Sequence, residues 1–129
     1  MMIETWYLLF NDKKELMGAP IQAEARHIYG LKEATKEQYS NRLRNVEAHC
    51  LVIWRCKQLT LLATDSKKSL QNSLSEINFL DREQVVKLPN AVDLADLELG
   101  TMEILLVQVP GLSSFLSLLR HQFLILGMP

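Results

Sequence analysis

The chain has 129 residues, 48% of them hydrophobic and 22% charged, with a formal net charge of −1. That length fits one domain with a core of its own. The charge balance gives no electrostatic footprint for DNA or RNA, and basic pairs such as Lys13-Lys14 and Lys67-Lys68 read as solvated surface, so no nucleic-acid binding by this chain alone is expected.

Along the chain, the opening IETWYLLF (Ile3 to Phe10) is apolar and aromatic and reads as a strand. Glu4 stands where a secretory leader needs basic residues, and the apolar run ends at Asn11 and Asp12, so no signal peptide is expected. NDKKELMG supplies turn residues. Ala19 to Ala25 reads as a second, weaker strand, with Pro20 suited to its edge or start. The two form a hairpin with a long, charged loop.

At Ile28 the period changes from two to three and four. Ile28, Leu31, Thr35, Gln38 and Tyr39 mark the inner face of a helix that frays near Asn41. Lys32, Glu33, Lys36 and Glu37 are expected outside, with Glu33 pairing to Lys36 at helical spacing. Leu43 and Val46 pack in the connection that follows. Cys50 to Lys57 is a strand near the centre of the sheet, carrying Val52, Ile53 and Trp54. Cys50 and Cys56 read as small apolar fillers. Six residues apart on one strand, they stand about 20 Å from each other, beyond the ~7 Å that a disulfide spans.

Thr64 or Asp65 is positioned to cap a second helix, in which Leu70, Leu74 and Ile77 recur at helical spacing. Arg82 to Pro89 is a short strand or extended arm. Val92, Leu94 and Leu97 form a helical turn over one end of the roll. Met102 to Val109 is the last strand, with Ile104, Leu106 and Gln108 on one face and Leu105, Val107 and Val109 on the other. A run apolar on both faces belongs inside a sheet. Pro110 and Gly111 end it.

The end of the chain, residues 112–129, is strongly apolar but interrupted by Arg120, His121 and Gln122, so it does not span a bilayer. It is read as an extra helix, as a contact for a partner or a membrane surface, or as the remnant of a longer protein. Phe115, Leu119 and Phe123 are its candidate partner contacts, and self-association is one expected consequence. The predicted fold is α+β: a ubiquitin-like β-grasp roll in residues 1–111, with one main helix, a second helix between strands, and an apolar C-terminal extension.

No catalytic constellation is legible. His27, His49 and His121 lie far apart without ligand spacing, and His49 and Cys50, adjacent on a strand, point to opposite faces. The glycines are scattered singly, with no phosphate-binding loop. Glu98 and Glu103, and Asp93 and Asp96, read as solvated acids around a turn. Neither an enzyme nor a bound cofactor or metal is expected.

The ordered set WYLLF, APIQAEA, IYGLKEATKEQ (Ile28 to Gln38), VEAHCLVIW (Val46 to Trp54) and LLVQVP (Leu105 to Pro110) resembles the N-terminal header domain of the Crinkler effector family of plant-associated and pathogenic filamentous microbes. The corresponding family phrases are a helix of the type VGDLKKAIKEE, a phrase of the form V-x-A-x-x-L-x-L-W/F, and a closing strand ending VxVxxP or IVVQxP. The likeness runs from about Trp6 to Pro110. It implies a non-catalytic, ubiquitin-like header for unconventional secretion and entry into host cells, with the host nucleus as destination and host proteins as partners. The family's translocation motif, LFLAK, falls on Leu51, Val52, Ile53, Trp54, Arg55, Cys56 and Lys57. Trp54 stands there for Phe, and Arg55-Cys56 for Leu-Ala. The family's C-terminal effector domain is not expected within 129 residues. The competing reading is a ubiquitin-like protein–protein adaptor that stays inside its own cell.

Overall fold

The computed structural model describes residues 2–58 and 60–110. The order of elements is β1 (Ile3–Phe10), β2 (Ile21–Ala25), α1 (Ile28–Gln38), β3 (Val52–Cys56), α2 (Lys67–Glu76), β4 (Val85–Lys87) and β5 (Ile104–Gln108). Single 3-10 turns at Ala48–Cys50 and Leu94–Leu97 precede β3 and β5, respectively. The fold is α+β, with the strands in one mixed sheet of order β2-β1-β5-β3-β4. β1 and β5 pair in parallel, from Trp6 opposite Ile104 to Phe10 opposite Gln108. The other neighbours are antiparallel. The first and last strands thus meet at the middle of the sheet.

Strand pleating explains why the central strands are apolar throughout. Successive side chains leave a strand on opposite faces, and here each face carries its own core. Tyr7, Leu9, Ile53, Leu105, Val107 and Val109 pack with Ile28 and Leu31 of α1. Leu8, Phe10, Ile104 and Leu106 pack with Leu70 and Leu74 of α2, and with Ile77 and Val85. Tyr7 to Phe10 and Leu105 to Val107 are fully buried. The two-faced reading is borne out over Ile104–Val109, although β5 starts at Ile104 rather than Met102, and Leu43 is buried in the connection after α1 as expected. Leu94–Leu97 forms the turn expected there.

Several local expectations are corrected. Ala19 and Pro20 precede β2, which starts at Ile21. Cys50 closes a 3-10 turn rather than starting β3, so His49 and Cys50 are not strand neighbours; both cysteines are free thiols. Ser66 caps α2 instead of Thr64 or Asp65, its Oγ accepting the Ser69 N–H at 3.1 Å. Asp65 has other work: its Oδ2 accepts from the Leu62 N–H at 3.1 Å, within the turn before the helix.

Lys32 is another. Expected on the outer face of α1, it is 6% exposed, and its ammonium donates to Asn90 Oδ1 at 2.6 Å. The four-carbon stem covers apolar surface while the head reaches exposed Asn90 at the rim. Burial, and the nearby Lys87 cation, lower its pKa from the usual lysine value. Lys36 reaches across to Glu47 at 3.5 Å rather than pairing along the helix.

Candidate functional site

The segment that the sequence singles out, Leu51 to Lys57, is assembled around β3. Leu51 ends the preceding 3-10 turn and is buried with Ile53 in the core beneath α1. Val52, Trp54, Arg55 and Cys56 are half-buried, and Lys57 is exposed. β3 lies between β5 and the edge strand β4, with Val52, Ile53 and Trp54 opposite Gln108, Val107 and Leu106. Trp54, Arg55 and Cys56 face Lys87, Val86 and Val85 on the other side. The strand is therefore interior, and its peptide groups are committed to two neighbours.

Trp54, Arg55 and Lys57 of the segment each have a hydrogen-bond partner. The Trp54 indole N–H donates to Gln108 Oε1 at 3.0 Å, and its ring meets Phe79 edge-on, with centroids 5.2 Å apart. Phe79 stacks in turn on Phe10, also at 5.2 Å, so Trp54 forms the outer margin of the core under α2. Lys57 donates to the Arg82 carbonyl at 3.0 Å.

Arg55 has the densest set of contacts. Its Nε donates to Glu103 Oε2 at 3.0 Å, one terminal nitrogen to Glu103 Oε1 at 3.5 Å, and the other to the Leu97 carbonyl at 2.7 Å. Arg55 thus ties β3 to the loop that leads into β5. The loop itself is held in shape by Glu103 Oε1, which accepts the Gly100 N–H at 3.0 Å. Glu98 and Met102, with φ of 49° and 66°, take left-handed backbone conformations within it. Glu103 is consequently not a solvated turn acid, as its sequence context suggested: its side chain is 14% exposed and ion-paired. No sequence signal links Arg55 to a glutamate 48 positions away, because that proximity exists only once β3 and β5 are neighbours.

Cys56, one residue on, has its thiol pKa pushed up to about 11 by burial, reinforced by the Glu103 carboxylate. A thiol so placed is a poor nucleophile at neutral pH. His27 serves the backbone: its Nδ1 accepts the Gly30 N–H at 3.1 Å and caps α1. Among the described residues no group of three or more His, Cys, Asp or Glu side chains is arranged to hold a metal ion, and no helix is long and apolar enough to cross a membrane. His121 and the candidate contacts Phe115, Leu119 and Phe123 lie outside the described residues.

No family model matches this chain, and no curated protein or solved structure is significantly similar to it.

Proposed function

We propose that the protein is a non-catalytic recognition module of ubiquitin-like, β-grasp type, working as a Crinkler-like header that directs secretion and entry into host cells. The observation that carries the reading is the strand order β2-β1-β5-β3-β4 around a parallel β1–β5 pair, with α1 packed on one face. That is the arrangement a β-grasp roll needs, and the family-like phrases lie on α1, β3 and β5 in the family's order. α2 and its core add a second covered face to this plan.

The destination on this reading is the host nucleus, reached by an unconventional route, with host proteins as partners. The test follows tagged protein while the producing organism contacts its host. Wild type is compared with Trp54→Phe, which restores the family's residue, and with Lys57→Glu at the exposed end of the segment. Arrival in host nuclei, weakened by Lys57→Glu, is the expected result. Retention of all three proteins inside the producing cell overturns it.

A second reading, an adaptor that acts inside its own cell, is favoured by one observation. Leu51 and Ile53 are buried and Arg55 is ion-paired, so most of the motif-like segment serves the fold. Retention would select this reading.

A further inference from the structure

The first β1–β5 pair is Trp6 with Ile104, so Ile3, Glu4 and Thr5 are paired only with β2. The chain just before Ile104 turns away, with Glu103 bridged to Leu62 on the far side. A notch of about 430 Å³ stands beside the leading half of β1, a size within the roughly 300–1,000 Å³ of small-ligand sites. The direction of the peptide groups there follows from the ladder. The Phe10 carbonyl accepts from Val109, and the Ile104 N–H goes to the Leu61 carbonyl, so even-numbered residues of β1 turn their peptide groups toward β5. Glu4 therefore presents its N–H and C=O into the notch, as an unextended sheet edge.

Two further features converge on the same place. Thr5, 2% exposed, lines the notch, and its Oγ1 is the one buried side-chain polar atom without a hydrogen-bond partner among the described residues. A buried polar atom of this kind ordinarily has a hydrogen-bond partner. The charge is one-sided: Glu4, Glu98 and Glu103 line the notch, and no Lys, Arg or His does so among the described residues. Glu103 is neutralised by Arg55 behind it, whereas Glu4 and Glu98 are exposed at the rim. Ile3, Leu94 and Leu99 supply an apolar wall against which a methylene stem can lie.

We propose that this notch takes up an extended basic segment of a partner protein, which adds as a short strand to β1 beside Glu4 and sets a lysine or arginine against Glu4 and Glu98. Backbone pairing supplies the anchoring and the carboxylates supply the choice of side chain. The proposal names the partner chemistry for the recognition reading above and rests on it. Its test uses purified protein, so it fails or succeeds independently of where the protein travels.

The experiment is an amide NMR titration of the full chain with a capped Val-Lys-Val peptide. Parallel titrations use the Val-Glu-Val peptide, a Lys peptide methylated on its backbone nitrogens, and butylammonium. Expected are shifts centred on Glu4 to Trp6 and Gly100 to Met102, with slowed exchange of the Glu4 amide. The N-methylated and Glu peptides should bind about tenfold more weakly or worse. Glu98→Gln, a change at an exposed position, should weaken the Lys peptide by about two- to fivefold. Shifts that map elsewhere, or none, overturn the proposal. Equal binding of the N-methylated peptide or of butylammonium overturns strand addition, and equal binding of the Glu peptide overturns the charge selection.

Discussion

The Arg55–Glu103 pair holds β3 to the loop entering β5, and its geometry sets what its loss costs. Exposed ion pairs contribute about 0–1 kcal/mol, whereas breaking a fully buried one costs about 3–5 kcal/mol. With side chains 27% and 14% exposed and contacts at 3.0 and 3.5 Å, this pair lies between those limits. Arg55→Met also removes the bond to the Leu97 carbonyl, so a loss of about 2 kcal/mol is expected, compared with a coupling to Glu103 of about 1–1.5 kcal/mol. The assay is urea unfolding followed by tryptophan fluorescence, applied to Arg55→Met, Glu103→Gln, the double variant and the wild type. At about 1–3 kcal/mol/M in urea, the Arg55→Met midpoint should fall by about 1 M. The coupling should largely survive 1 M salt, because solvent ions screen a partly buried contact weakly. A coupling below about 0.3 kcal/mol would refute the assignment of Arg55 as the tie between β3 and this loop.

Four other outcomes follow from three buried polar groups. Cys56, with its pKa raised to about 11, should react far more slowly than a free thiol with a thiol reagent at pH 8 in the native state and at an ordinary rate in urea; equal rates would contradict its burial. Because folding raises this pKa, its stabilising contribution is complete below the unfolded-state value near 9 and declines as pH rises toward 11. Cys56→Ala should flatten that part of the alkaline decline in urea midpoint, while Tyr7 and Tyr39, also raised by burial, should sustain the rest. Lys32→Ala should cost about 1–3 kcal/mol through the lost stem, whereas Lys32→Met, which keeps the stem, should stay within about 0.5 kcal/mol of wild type; equal losses would mean that the ammonium matters more than the packing. Thr5→Val replaces an unpartnered buried hydroxyl with a methyl of similar size and should be neutral or stabilising by about 1 kcal/mol, read as a urea midpoint at or above that of wild type.

The sequence by itself determined the elements. Their signals are local: the aromatic run Trp6 to Phe10, the threes and fours of Ile28, Leu31 and Thr35, and the two-faced apolar run before Pro110 each fix a backbone period within a few residues. The hairpin, the turn at Leu94–Leu97 and the central place of the last strand were legible for the same reason. What the sequence misplaced were groups whose environment comes from elsewhere in the chain. Lys32 shares the helical spacing of an outward face, but Asn90, 58 positions away, receives its head. Glu103 reads as a turn acid until β3 brings Arg55 beside it. The notch at Glu4 was invisible for a related reason: a strand's length is written locally, but the point where its neighbour begins is not. β1 starts at Ile3, and β5 first meets it at Trp6. Only the register of two strands a hundred residues apart decides which peptide groups are left unpaired, and that register is set by side chains packing on both faces of the finished sheet.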